Sequence, residues 1–267
     1  MQQKYWMGGI FMIVTVQDVL AEMRRIAPPE LAQSWDNVGL LVDAGRPVSG
    51  ILTALDITPA VVSEADVLGC ELIVSHHPVI FQPLKSLSVK DVPGMLMHKG
   101  ISAICMHTNL DVAPGGVNDA LAAALGLEDP GPLGDPEGLC RMGTLAKEMP
   151  LHQFAQHVCR CLGANGVRYA DAGRPVRRVA VGGGACGDYE SYAIAAGCDT
   201  FVTSDLTYHT FLDAPGKGIN LIDAGHFPTE DPVCARLLAY LTERFPGLQV
   251  TKSASHREVI QYYVEGE

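Results

Sequence analysis

The 267-residue sequence predicts an α/β fold of two related lobes, with sheets covered by helices. Three observations carry that expectation. Short apolar runs of strand length alternate with segments whose apolar residues recur every three or four positions. The same succession of elements occurs twice along the chain. Polar and histidine-bearing motifs follow the apolar runs directly, at the strand ends where open α/β sheets collect ligands.

Taken in order, Thr15 to Ile26 reads as a helix with Val16, Val19, Leu20 and Met23 on one face. Pro28-Pro29 ends it, and Pro29 opens a short helical turn through Leu31. After the turn-like S-W-D-N, Val38 to Val42 reads as a strand, and Ile51 to Asp56 as a buried one. Thr58 is placed to cap a helix that Pro59 starts and Gly69 stops, with Val61, Val62, Ala65 and Leu68 as its apolar face. Leu72-Ile73-Val74 is a second buried strand running into Ser75-His76-His77-Pro78. A third, Gly100 to Met106, runs into His107-Thr108-Asn109-Leu110-Asp111 and is followed by a helix from Val117 to Leu125.

Residues 126–138, GLEDPGPLGDPEG, have the composition of a linker or surface loop and mark the expected boundary. The expected division is therefore 12–126 with about 227–267 as the first lobe, about 127–226 as the second, and 1–11 as an N-terminal extension. Beyond the boundary come a strand at Val179–Val181, a glycine turn at Gly182–Gly187 and a helix at Tyr189–Ala196. Gly197 to Val202 is a strand ending in Thr203-Ser204-Asp205. Gly218 to Ala224 is another, ending in Gly225-His226, with helix behind it to about Phe245. GCELIVSHH at 69–77 parallels GCDTFVTSD at 197–205, and GISAICMH at 100–107 parallels GINLIDAGH at 218–226. We read these pairs as an internal duplication of one α/β unit.

Composition narrows the function. A net charge of −11 repels phosphate backbones, so nucleic-acid binding is disfavoured. Charged residues are only 18% of the chain, against about 25% in an average soluble domain. That shortage fits either a surface covered by another subunit or a large ratio of core to surface. Eight cysteines without a C-x-x-C pair, several inside apolar runs, indicate a reduced cytoplasmic protein rather than a disulfide scaffold. No apolar stretch reaches the roughly 18 residues of a membrane span. The opening MQQKYWMGGIFMIVTV lacks a small-residue cleavage site and is read as a short extension, with folding from about Met12.

Five residues at the strand ends carry the expected chemistry. His76 and His77 are adjacent, and Pro78 turns the chain so that both imidazoles can face one centre from a loop. The competing reading is two exposed loop histidines. Asp111 can bridge two cations through its two oxygens, or merely cap the following helix. His226 and Glu230 are four apart around Pro228, which suits a first helical turn and puts both on one face; the alternative is a carboxylate that only complements the helix N-terminus. Together His76, His77, Asp111, His226 and Glu230 exceed the usual three protein ligands of a single catalytic zinc and suit two ions sharing a carboxylate. Nitrogen and oxygen donors without sulfur fit Zn, Mn, Fe or Ni. His107, Asp205 and His209 are candidate supporting groups that orient ligands or substrate, against ordinary structural or surface roles. Gly182-Gly183-Gly184 after a strand suggests only weakly a phosphate-binding turn, lacking the spacing of either nucleotide motif. No G-x-S-x-G element supports serine hydrolase chemistry.

The segments SWDNVGLLV (34–42), VSHHPVIF (74–81), HTNLD (107–111), GVNDALA (116–122), TSDLTYH (203–209) and DAGHFPTE (223–230) resemble, in order, the Nif-three-like family, often labelled GTP cyclohydrolase 1 type 2 homologues. The resemblance implies two related α/β lobes, a dinuclear metal centre between them and a homohexameric ring. It puts the family's metal ligands on the same five residues, His76, His77, Asp111, His226 and Glu230. Its label implies hydrolytic opening of a GTP ring. Two functions are therefore expected to compete: a metal-dependent hydrolase of a small nucleotide-like molecule, or a non-enzymatic metal-binding or partner-binding ring.

Overall fold

The computed structural model describes residues 5–7 and 10–263. Of the expected extension 1–11, residues 1–4, 8 and 9 lie outside the described residues. The rest of it contributes to a two-stranded antiparallel hairpin, β1 (Tyr5–Met7) with β2 (Ile10–Met12). The chain folds as two compact units, 1–114 with 234–257, and 115–233 with 258–267.

The first unit continues with α1 (Val16–Ile26), a 3-10 turn at Pro29–Leu31, β3 (Gly39–Val42), β4 (Gly50–Ala54), α2 (Pro59–Leu68), β5 (Leu72–Ser75), α3 (Val92–Lys99), β6 (Ser102–Cys105) and the short α4 (Thr108–Val112). Local chemistry sets these bounds. Thr15 and Asp18 form a capping box at the start of α1, each side chain satisfying the other's backbone N–H. Thr58 accepts from Val61 N at the start of α2, and Gly69 ends that helix in the left-handed conformation that glycine adopts at no steric cost.

The second unit holds α5 (Val117–Ala124), β7 (Glu128–Pro132), β8 (Arg141–Met149), α6 (Leu151–Leu162), β9 (Arg168–Ala170), β10 (Val176–Val181), a 3-10 turn at Gly187–Tyr189, α7 (Glu190–Ala195), β11 (Thr200–Thr203), α8 (Tyr208–Lys217), β12 (Asn220–Asp223) and α9 (His226–Glu230). The chain then returns to the first unit through α10 (Pro232–Arg244) and β13 (Gln249–Lys252).

Each unit is built on one sheet. The first has five strands in the order β13-β4-β5-β6-β3, parallel except for β3. The second has six in the order β7-β8-β10-β11-β12-β9, with a parallel core of β10, β11 and β12. Both contain the run β–α–β–α–β, as β4-α2-β5-α3-β6 and β10-α7-β11-α8-β12. That shared order is what an internal duplication requires.

Burial on both faces explains why the strands read as continuous apolar runs. In the second unit Val179, Val181, Val202 and Ile222 face a core with α5 and α6 that includes Leu121 and Phe154. Their neighbours Ala180, Phe201 and Leu221 face the opposite core with Ala193 of α7 and Ala214 of α8. In the first unit Leu52, Ile73 and Ala103 pack with Val61, Val62 and Ala65 of α2 and Leu96 of α3. Ile51, Leu72 and Ile104, which point the other way, are also fully buried.

The units divide between Pro114 and Gly115, whereas composition placed the boundary at 126–138. The glycine- and proline-rich segment is not a free linker. It contributes β7, an exposed edge strand paired antiparallel with β8, and edges are where a sheet tolerates proline. Helix α5 goes with the second unit because Leu121, Ala122 and Leu125 fill that unit's core. No helix among the described residues is long and apolar enough to cross a membrane.

Candidate metal centre

In the first unit β5 delivers its histidines at the point where the sheet pairing runs out. His77 N still donates to Leu55 O at 2.9 Å, which extends the β4–β5 ladder past Ser75. Ser75 Oγ donates to His77 O at 2.9 Å and closes the turn. The two rings lie 4.9 Å apart between centroids, with His107 5.1 Å from His76 and 5.6 Å from His77. One ligand atom from each of His76, His77 and His107 falls within 4.8 Å of the others. Asp111, from the first turn of α4, brings Oδ1 to 3.6 Å from His76 Nε2.

Each of these imidazoles is anchored through Nδ1. His76, fully buried, donates from Nδ1 to Met106 O at 2.8 Å, a partner that can only accept. His77 Nδ1 lies 2.7 Å from Asp56 Oδ1, and His107 Nδ1 lies 2.9 Å from Asp36 Oδ1. A carboxylate or carbonyl on Nδ1 fixes the neutral tautomer that presents the Nε2 lone pair, as in metal-bound histidines. Burial pushes the carboxyls of Asp36 and Asp56 up. Hydrogen bonds from His107 and Thr108 to Asp36, and from His256 and His77 to Asp56, outweigh it and hold both below the usual carboxylate range. At the rim, Trp35 and Phe81 are 58% and 44% exposed with ring centroids 6.0 Å apart, and both lie beside His107.

The second unit assembles a smaller group at the ends of β11 and β12. Gly225, at φ +88°, turns the chain so that His226 opens α9. Glu230, one helical turn on and 6% exposed in its side chain, brings Oε2 to 3.2 Å from His226 Nε2. Asp205 takes His226 Nδ1 on Oδ2 at 2.6 Å. Asp205 holds φ +55°, a left-handed conformation uncommon outside glycine, at the residue that aims the imidazole. The adjoining Glu230, and then Asp205, raise His226 to about 9 against the opposing effect of burial.

The glycine turn is explained by this group and not by phosphate. A Cβ on Gly184, whose φ is +65°, would stand 2.2 Å from Glu230 Oε1 and 3.3 Å from His226 Cε1. The amides that a phosphate would need are already used: Gly183 N donates to Asn118 Oδ1 at 2.7 Å and Gly184 N to Thr229 Oγ1 at 3.0 Å. Glycine is needed here so that backbone can approach a carboxylate.

Of the residues singled out from sequence, His76, His77, His107 and Asp111 come together in the first unit. His226, Glu230 and Asp205 come together in the second. His209 is exposed on the first turn of α8 against the Tyr208 ring, 5.3 Å between centroids, so the group that reaches His226 is Asp205. Sequence reasoning missed Asp36, Asp56, His256, Asn118 and Thr229. Asp56 follows the end of β4, the signal that identified the others, whereas Asp36 lies before the start of β3 and lacked it. His256, far along the chain in S-A-S-H, carried no such signal.

The donor set suits a divalent transition metal: imidazole Nε2 atoms and carboxylates converge, and no thiolate competes. The Cys105 thiol accepts from Ser75 Oγ at 3.1 Å, burial pushes it up to about 11, and no cysteine joins either cluster among the described residues.

The molecule is thus a two-unit α/β protein with imidazole–carboxylate clusters at its strand ends. Residues 14–258 match the family described as Duf34/NIF3 (NGG1p interacting factor 3), and the chain belongs to that family. A Clostridium perfringens protein named GTP cyclohydrolase 1 type 2 homolog is 33% identical over 240 residues, covering 86% of this chain and 92% of its own. One of the same name from Streptomyces coelicolor is 35% identical over 244 residues, with 85% and 86% covered. Among solved structures, a Bacillus cereus protein related to NIF3 superposes with a TM-score of 0.87 at 26% identity, covering 94% of this chain and 99% of that one. A hypothetical protein of Staphylococcus aureus gives 0.86 at 30% identity, with 94% and 100% covered.

Proposed function

We propose that this protein holds two divalent metal ions, ligated by His76, His77 and Asp111 of the first unit and by His226 and Glu230 of the second. On this reading it is a metal-dependent hydrolase of a small nucleotide-like molecule. The observation that carries it is the shared anchoring of the imidazoles through Nδ1, the arrangement of metal-bound histidines, with Nε2 of His76 and of His226 set beside the carboxylates of Asp111 and Glu230. A metal pair with this donor set supplies Lewis acidity and an acidified water for attack. The Nε2 of His107, oriented by Asp36, is poised to pass a proton to or from a bound substrate. Exposed Trp35 and Phe81 offer ring faces for a planar group. Zn, Mn, Fe and Ni all suit the donors.

The curated relatives carry the label GTP cyclohydrolase 1 type 2 homolog, and a guanine nucleotide is accordingly the first substrate to try. We further propose a homo-oligomeric ring of six chains in the reducing cytoplasm. In its support, only 18% of residues are charged, and Leu84, Leu87 and Val89 are 51%, 57% and 64% exposed. All eight cysteines are free.

The test is a screen of metal-loaded protein against purine and pyrimidine nucleotides, with Asp111→Ala as control. The expected result is metal-dependent turnover of at least one nucleotide that disappears in the variant. Metal bound in full without turnover of any nucleotide would overturn the hydrolase assignment and leave a metal-binding or partner-binding ring.

A further inference from the structure

Asp56 sits just beyond β4 with its side chain 42% exposed, yet it is the group that orients His77. A half-exposed aspartate held by one bond is a poor anchor, because water competes for its oxygens and its side chain is free to turn. A second imidazole supplies the missing restraint. His256 Nε2 lies 2.9 Å from Asp56 Oδ2, while His77 Nδ1 occupies Oδ1 at 2.7 Å. The carboxylate is clamped between two rings. His256 is itself well sheltered, its side chain 10% exposed.

The fold spends a whole segment on bringing His256 there. Strand β13 lies parallel to β4, and Ser253 N extends that ladder to Thr53 O at 2.8 Å. Glu64 of α2 then gathers the following turn, accepting from Ser253 Oγ, from Ala254 N at 2.8 Å and from Ser255 N at 3.0 Å. His256 N closes the turn on Ser253 Oγ at 3.2 Å. The backbone of His256 is thus fixed before its ring meets Asp56.

We propose that His256 is a positioning residue for the ligand His77, acting through Asp56 to hold the tautomer and ring orientation in which His77 Nε2 faces the metal. The inference rests on the metal-binding reading above and extends it to a third residue beyond the ligand and its carboxylate. Outer partners of metal-bound histidines are worth about 10–100-fold in affinity. His256 stands one bond further out, so its loss weakens zinc binding by about tenfold, at the lower end of that range.

The experiment compares the full-length protein with His256→Gln and His256→Asn. A glutamine amide reaches the position of the histidine Nε2 and can donate to Asp56; an asparagine amide is too short. Three quantities are read: zinc affinity by chelator competition, the melting temperature without metal, and solid-state 15N spectra of histidine-labelled, metal-free protein, which report which ring nitrogen of His77 carries the proton. The expected result is about tenfold weaker zinc binding and a mixed His77 tautomer in His256→Asn, with both restored in His256→Gln. A role in holding the C-terminal segment alone would lower the melting temperature and leave the affinity and the His77 signal unmoved, which overturns the proposal. Should the wild-type chain take up no zinc, the metal reading fails by itself. The His77 spectra of the metal-free variants then decide the positioning claim separately: an unchanged tautomer in His256→Asn sinks it.

Discussion

The ends of β5 and β11 occupy the same place in the two repeats and carry opposite chemistry. After β5 come His76 and His77, and the imidazole of His77 is held by a carboxylate from the neighbouring strand end, Asp56. After β11 come Ser204 and Asp205, and here the strand supplies the carboxylate, which holds an imidazole from the neighbouring strand end, His226. The scaffold therefore fixes where polar groups appear, while each repeat assigns the roles of ligand and support differently. Burial differs as well. His76 is fully buried, whereas the side chains of His226 and Asp205 are 39% and 49% exposed. The equivalent pair His77–Asp56 is 21% and 42% exposed, so the first cluster joins one packed imidazole to one held by hydrogen bonds, and the second relies on a left-handed aspartate and a glycine turn.

That contrast can be broken most severely at Asp111. Replacing it with Asn removes the charge best placed to offset two cations, and metal retained after dialysis should fall by more than the roughly 100-fold that an outer carboxylate is worth. Undiminished metal by elemental analysis would show that Asp111 is not a ligand. In the second unit, Gly184→Ala forces a methyl against Glu230 at a left-handed backbone position. The expected cost is about 1–3 kcal/mol in chemical denaturation, with weakened metal uptake; an unchanged midpoint would mean that the turn relaxes freely. Asp205→Ala should lower metal affinity about 10–100-fold and return His226 towards its ordinary value from about 9. Titration of His226 by NMR checks the second half, and a signal still titrating near 9 would assign the shift to Glu230 alone.

The smallest expected effect concerns pH and lies at the turn that carries His256. Burial pushes the Glu64 carboxyl up, but hydrogen bonds from Ser253 and from the Ala254 and Ser255 amides prevail and hold it below its ordinary 4.5. Since the folded value is the depressed one, its contribution is present above about pH 4.5 and is lost as pH falls through the folded value. The group is partly exposed, so the contribution is about 1 kcal/mol or less after screening. Glu64→Gln should therefore lower stability at pH 7 and flatten the acid limb of the stability curve. Equal acid sensitivity in both proteins would remove Glu64 from that account.

Much of this architecture was legible in the sequence because its signals are local. Thr58, Pro59 and Gly69 bound α2 through capping chemistry that needs no tertiary context. His226 and Glu230 met because helical spacing brings them together. What escaped notice depends on distant partners. The sequence at 126–138 looks like a linker, and only pairing with β8 makes it a strand. Gly182–Gly184 resembled a phosphate turn until Glu230, Asn118 and Thr229 were found to fill its surroundings. His256 reaches Asp56 only because β13 pairs with β4, a parallel contact between the far ends of the unit's sequence.

The central claim, that residues of both units hold one pair of ions, is tested most directly by locating the metals. Crystals of zinc-loaded protein measured at the zinc absorption edge give anomalous peaks that mark each ion independently of the refined chain. The expected result is two peaks per chain, both lying among His76, His77, Asp111, His226 and Glu230. Their separation should be about 3.5–4 Å, as in two-metal hydrolytic sites. A single peak, or peaks that leave His226 and Glu230 without metal, would contradict the account.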